Sequence, residues 1–329
     1  MTDRTNSPAE TTSRVPGTDT AAFAAKDLLS AETSMDAVTL HVADLDLMTR
    51  YYRDALSLAV LTPSDALLAA IPGAGAGSRD ETVVLGRGAT PLVVLRRGQD
   101  LPRARRGEAG LFHTALLFDD APALAAAVAS VARTAPSTFV GSGDHLVSEA
   151  FYFTDPEGNG VELYHDRPRE TWTWQDGQVA MDTLYIDPNA FMQEHLTDAA
   201  LERALSTDVV GPDDTVVGHV HLQVGDIATA REFYVDTLGF EATASLPSAL
   251  FVSAGGYHHH MAMNTWNSQG AGPRASTLGL GQVAISVPSE DDVTALVDRL
   301  SRRGIQMRHD GATLRFDDPW KNLIEVAVR

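Results

Sequence analysis

The stretch "GDHLVSEAFYFTDPEGNGVE", residues 143–162, decides how the chain is read. At its centre, Asp155, Pro156, Glu157 and Gly158 form a turn in which proline stands where its fixed φ is wanted, so the chain reverses and "NGVELY" becomes a strand. Along that strand Val161 and Leu163 alternate with Glu162. Period-two alternation sends the apolar pair toward a core and the carboxylate the opposite way, into whatever cup the sheet encloses. A carboxylate on an inner face needs partners, and the rest of the sequence is read for them.

The bulk composition narrows the chemistry. With no cysteine among 329 residues, disulfides, iron–sulfur clusters, thiolate zinc sites and cysteine nucleophiles are excluded, so a metal would be held by His, Asp or Glu. Eleven histidines are available. A net charge of −19 argues against a nucleic acid or an anionic membrane as partner, because neutralising phosphates takes clustered Lys and Arg. No segment has the run of roughly 18 to 20 apolar residues of a membrane span. Residues 1–33, rich in Thr, Ser, Ala and Pro, lack the pattern of a secretory signal and are expected to be a flexible tail on a cytoplasmic protein.

The chain repeats itself. A shift of 182 positions lays "HVADLDLMTRYYRDAL" (41–56) over "QVGDIATAREFYVDTL" (223–238), matching Val42 to Val224, Asp44 to Asp226, Tyr52 to Tyr234, Asp54 to Asp236 and Leu56 to Leu238. A second pair matches "FHTALLFDDAPALAAAV" (112–128) to "GQVAISVPSEDDVTALV" (281–297), and "TDPEGNGVEL" (154–163) to "DDPWKNLIEV" (317–326). Each unit opens with an alternating strand. In "VVGHVHLQV" (216–224), Val216, Gly218, Val220, Leu222 and Val224 take one face and Val217, His219, His221 and Gln223 the other. A helix follows, with Ile227, Ala230, Phe233, Tyr234 and Leu238 on one stripe and Asp226 as N-cap. Three strands complete each unit.

The expected fold is therefore α+β, with four βαβββ modules. Residues 34–165 form an N-terminal domain of two modules, 166–215 a connector and 216–329 a C-terminal domain of two modules. The connector carries "AFMQEHLTDAALERALS" as one short helix, a turn at "GPDD", and Trp172 and Trp174 as packing anchors.

Residues 143–162 fit a signature: Gly143, His145, Phe151, Tyr152, Asp155, Pro156, Glu157, Gly158 and Glu162 at fixed spacings. With it, residues 35–329 resemble the vicinal oxygen chelate superfamily, and within it the extradiol ring-cleaving dioxygenases of the catechol 2,3-dioxygenase type. The resemblance implies two open-barrel-like glyoxalase/bleomycin-resistance/dioxygenase domains. It also implies cleavage of a small aromatic diol by dioxygen at an Fe(II) centre, with Mn(II) as the alternative; a homo-oligomer is expected, without a motif that carries it.

His113 opens the first strand of the module that holds Glu162 and points into the same cup. A third ligand is expected seven residues before the aspartate that ends the strand in an odd-numbered module; His219 fills that place in the third, and Ala37 stands there in the first. His113, Glu162 and His219 then make two imidazoles and one carboxylate, the set that leaves three positions open on Fe(II). The fourth module has Gln282 in place of His113 and keeps Glu325 in place of Glu162, which makes His219, Glu325 and Gln282 a weaker rival. Modules two and three are thus expected to pair, either within a chain or between subunits.

Within "GGYHHHMAM" (255–263), strand parity groups His258 with His260 against His259 and leaves open which side faces the metal; the resemblance assigns the acid/base role to His259, with a pKa near neutral. The resemblance also assigns hydrogen bonding of the substrate to His145 and Tyr152. His41, His165, His195 and His309 read as structural or solvated, and His221 as a possible neighbour of the ligands. Two other functions fit this fold: a glyoxalase-type isomerase or lyase, which wants a further carboxylate, and a metal-free module that binds an aromatic ligand.

Overall fold

The computed structural model describes residues 28–62, 81–205, 215–311 and 313–328. Four βαβββ modules are present. Module one comprises β2 (Val38–Val42), α1 (Leu45–Arg50, continued by a wide helical turn Tyr51–Ala55), β3 (Ala59–Leu61), β4 (Thr82–Arg87) and β5 (Thr90–Arg97). Module two has β6 (Gly110–Phe118), α2 (Ala121–Thr134), β7 (Phe139–Asp144), β8 (Ser148–Thr154) and β9 (Gly160–Asp166). Module three has β12 (Val216–Gln223), α5 (Ile227–Tyr234), β13 (Glu241–Leu246), β14 (Ala249–Ser253) and β15 (Met261–Asn264). Module four has β16 (Gly279–Val287), α6 (Glu290–Arg302), β17 (Met307–His309), β18 (Thr313–Asp317) and β19 (Leu323–Val328). A short β1 (Ser34–Met35) pairs with β16.

Each helix starts where a short polar side chain can cap it. Asp44, Asp120, Asp226 and Ser289 accept from the backbone N–H three residues on, which satisfies a donor the helix cannot. In every module the first strand runs parallel to the last, a pairing that needs the helix as crossover. The apolar faces of strands and helices from all four modules join one core.

The sheets cut across the expected division at 166–215. One sheet has the order β13-β14-β15-β12-β6-β9-β8-β7 and joins modules two and three; the other runs β17-β18-β19-β16-β2-β5-β4-β3 and joins modules one and four. The joins are antiparallel, β6 with β12 and β16 with β2. Modules two and three therefore pair within a single chain.

Consecutive modules are tied across the sheets instead. The Tyr52 hydroxyl of module one donates to Asp155 of module two (3.1 Å), and the repeat-related Tyr234 donates to Asp318 (2.9 Å). Each aspartate also orders its own turn, Asp155 through the N–H groups of Glu157 and Asn159, Asp318 through those of Trp320 and Asn322. Gly158 supplies the positive φ (95°) of the first turn.

Three local expectations change. Gly218 is the extra residue of a bulge in β12, so Val217 joins the core with Val220 and Leu222 rather than the histidine face. A Cβ at Gly218 would collide with the Tyr164 hydroxyl. The connector helix is two helices, α3 (Pro188–His195) and α4 (Asp198–Leu205), because Thr197 caps the second by accepting from Ala200 N–H. Trp172 is buried against Val147, Val179 and Tyr257, whereas Trp174 is exposed.

Of the expected N-terminal tail, residues 1–27 lie outside the described residues, as do "GPDD" (211–214). Leu29 is packed, its N–H bonded to Gly239 O at 2.8 Å. Among the described residues no helix is long and apolar enough to cross a membrane.

Removing the hydroxyl in Tyr52→Phe or Tyr234→Phe withdraws one donor from a buried aspartate, which is expected to cost about 1–3 kcal/mol. Urea unfolding of each variant reads this directly, and a loss below measurement error in both would show that the two ties do not hold the modules.

Candidate metal centre

The antiparallel seam between β6 and β12 places His113 opposite His221 and brings His219 beside Ala115, while β9 lies on the other side of β6 with Glu162 level with Ala115. All three candidate side chains point into the cup of this sheet. The Glu162 carboxylate oxygen Oε2 lies 2.9 Å from His113 Nε2 and 3.1 Å from His219 Nε2. One donor atom from each residue falls within 4.8 Å of the others, and this is the one group of three or more His, Asp or Glu found among the described residues that could share an ion. Exposures of 5 %, 2 % and 1 % for His113, Glu162 and His219 show that all three side chains are buried.

Electrostatics fit a cation. Burial pushes the Glu162 carboxyl up, but the His219 and His113 imidazoles outweigh it and hold the group well below the usual carboxylate range. Burial brings His219 down to about 4, against the pull of Glu162. At neutral pH Glu162 is therefore an ionised carboxylate facing an uncharged His219 imidazole. His113 Nε2 is buried and close to Glu162 without the alignment of a hydrogen bond. His219 Nε2 meets the same carboxylate oxygen at hydrogen-bond distance, and two imidazole nitrogens converging on one carboxylate are donor atoms that suit a divalent ion.

Around this centre is a cavity of about 690 Å³. His145 and Tyr152 reach it together: His145 Nε2 meets the Tyr152 hydroxyl at 2.6 Å, and His145 Nδ1 meets Asp182 O at 2.8 Å. Burial, then the Glu162 charge, raises the Tyr152 phenol well above its ordinary value, so it is a neutral hydroxyl. Of the three consecutive histidines, His259 lines the cavity, its ring 4.1 Å from that of His219. His258 is fully buried behind it, and His260 turns to Ser253 and Ala254 N–H. The parity grouping does not apply, because residues 258–260 precede β15. Burial, then His219 and His258, holds His259 well below the ordinary imidazole value rather than near neutrality.

Several wall residues carry no signal in the sequence. The connector folds as a hairpin, β10 (Trp174–Gln175) with β11 (Gln178–Val179), and residues 178–183 close one side of the cavity. The hairpin is fixed to module three by Ser245 N–H donating to Gln178 Oε1 and to module two by the Asp144–Leu184 bridge. His221, held by Asn264 at 3.0 Å, stacks edge-on with Phe112 and Trp266 to form an aromatic wall beside His113.

The second sheet has the same cup with different contents. Glu325 and Gln282 lie there, so the rival set with His219 is split between sheets. Arg315 stands opposite Glu325 as Tyr152 stands opposite Glu162, and its Nε donates to Glu325 Oε2 at 2.7 Å. A guanidinium occupies the role an ion would have. His165 bonds Glu149, His195 packs on Phe191, and His41 fills space above Gly281; none of these approaches the triad.

Comparison with known proteins follows the geometry. The family model of the Glyoxalase/Bleomycin resistance protein/Dioxygenase superfamily matches residues 216–326. Catechol-2,3-dioxygenase of Bacillus subtilis (strain 168) is 38 % identical over 218 residues, spanning 65 % of this chain and 73 % of the relative. The chain belongs to this superfamily. Biphenyl-2,3-diol 1,2-dioxygenase 3 of Rhodococcus globerulus is 26 % identical over 118 residues, 34 % of this chain and 62 % of that protein. Among solved structures, glyoxalase I of Zea mays shares the fold with a TM-score of 0.52 at 16 % identity, covering 90 % of this chain and 92 % of its own. The cppA protein of Streptococcus pneumoniae TIGR4 gives 0.53 at 10 % identity, covering 90 % and 100 %.

If the cup of modules two and three is the metal centre, Glu162→Gln should lose its divalent ion on dialysis while Glu325→Gln keeps it, as elemental analysis would read. Equal retention would remove Glu162 from the ligand set. Because the ligands share one chain, co-expressed His113→Ala and His219→Ala chains should show no recovered activity.

Proposed function

We propose that the chain catalyses extradiol cleavage of a catechol-type aromatic diol by dioxygen. Homology to catechol-2,3-dioxygenase makes it a dioxygenase-like oxidoreductase. The finer reading rests on one observation: His113, Glu162 and His219 converge at the floor of a cavity that also presents His145, Tyr152 and His259. Two imidazoles and a carboxylate suit Fe(II), with Mn(II) as the alternative, and leave open positions. When bound, such an ion supplies Lewis-acid and redox chemistry between a diol and dioxygen.

The chain's own residues do the rest. Phe112, Phe251 and Trp266 give flat apolar walls to an aromatic ring, which fixes orientation and excludes water. Tyr152, a neutral phenol whose O–H donates to His145 Nε2, offers its oxygen as an acceptor to a substrate hydroxyl. His259, uncharged at neutral pH, takes a proton from a diol hydroxyl and returns it to an oxygen as the ring opens. Asp182 O fixes the His145 ring.

A glyoxalase-type isomerase would want a further carboxylate beside the ion; the module-three wall offers His221 and His259 there instead. Oxygen uptake decides between the two. With Fe(II) restored, a panel of catechols should give one dioxygen consumed per diol and a yellow ring-opened product. His259→Ala should lower kcat by about 10²- to 10⁴-fold. Turnover of any substrate without oxygen uptake would replace this reading with the isomerase.

A further inference from the structure

Behind His259 lies a polar chain, buried at His258, Tyr257 and Tyr164 and half-buried at Asp166, that the site as described leaves without a role. His258 Nδ1 is 2.7 Å from His259 Nδ1, and His258 Nε2 is 2.9 Å from Asp166 Oδ1. The same Asp166 oxygen accepts from the Tyr257 hydroxyl (3.3 Å), which in turn lies 2.7 Å from the Tyr164 hydroxyl. Trp172, from the connector, covers this chain with its ring 5.3 Å from His258 and 5.9 Å from Tyr257. Glu162, Tyr164 and Asp166 alternate along β9, so one strand delivers both the carboxylate of the candidate metal centre and the carboxylate of the chain behind it.

For two uncharged imidazoles, donor and acceptor counting fixes the protons. A carboxylate accepts and does not donate, so His258 Nε2 carries the hydrogen that faces Asp166. A neutral imidazole then has a bare Nδ1. Two facing Nδ1 atoms at 2.7 Å need one hydrogen between them, and His259 must supply it. Because His259 Nδ1 is turned back to His258, the nitrogen that His259 presents to the cavity is Nε2, with its lone pair free.

We infer that Asp166 and His258 are positioning residues that hold His259 in its Nδ1–H tautomer, so that Nε2 faces the substrate as a base. The carboxylate also stabilises the positive charge that appears when His259 takes a proton, relayed through the intervening ring. This is the logic by which a buried aspartate orients a catalytic histidine in hydrolytic triads, extended here by one imidazole. It rests on the dioxygenase reading for what His259 does, but not for how it is held.

The test is the tautomer itself. Two-bond nitrogen–proton correlation spectra of the full chain, labelled with ¹⁵N-histidine and loaded with diamagnetic Zn(II), are expected to show His259 protonated at Nδ1 and bare at Nε2, with His258 the reverse. A His259 protonated at Nε2, or a His258 protonated on both nitrogens, would overturn the inference. His258→Phe keeps the ring under Trp172 and removes both hydrogen bonds. It should lower kcat by about 10²- to 10³-fold with KM changed less than about threefold and iron content unchanged. An unchanged kcat in folded, iron-loaded His258→Phe would equally overturn it. Absence of oxygen uptake in the unmutated chain overturns the dioxygenase reading alone, because the nitrogen shifts decide the relay without turnover.

Discussion

The candidate site depends on the antiparallel seam between β6 and β12. His113 stands on one strand of that seam and His219 on the other, and Glu162 is carried by β9, which lies between β6 and β8 and does not pair with β12. A one-residue slip would turn one histidine out of the cup, since successive side chains on a strand face opposite ways. The register shifts at Gly218 and again between His221 and Leu222, and the Tyr164 hydroxyl packed against the glycine leaves no room for a side chain there.

The two sheets show what becomes of such a cup when its imidazoles are lost. In the second, Ala37 and Gln282 stand where His219 and His113 stand in the first, yet Glu325 is retained and is nearly as buried as Glu162. An uncompensated buried carboxylate costs several kcal/mol, more than a single neutral hydrogen bond returns. Arg315 at 2.7 Å resolves this with a fixed cation, at the cross-strand position that in the first sheet belongs to Tyr152. One fold thus offers two answers to the same charge: imidazoles that leave room for an ion, and a guanidinium that leaves none.

The sheets join modules two with three and one with four, while the buried Tyr52–Asp155 and Tyr234–Asp318 bonds join one with two and three with four. Neither set of contacts alone would close the molecule. The connector adds a third constraint by walling the cavity with residues 178–183 and covering His258 with Trp172, so a segment outside the repeat completes the site.

The sequence alone carried the four modules, the inward direction of Glu162, His113 and His219, and the Asp226 helix cap, because these follow from periodicity and from residue types at fixed spacing. The repeat of Tyr52 in Tyr234 and of Asp155 in Asp318 was visible there as well, without its meaning. Tertiary structure decided which modules share a sheet, since strand order within a repeat does not say which edges meet. It also decided that His259 rather than His258 lines the cavity, because residues 258–260 lie in an irregular segment where strand parity does not operate. Asp166 shares a face with Glu162 in the sequence, but its partner lies 92 residues away. Only the packed chain brings a distant imidazole and that carboxylate within hydrogen-bond reach.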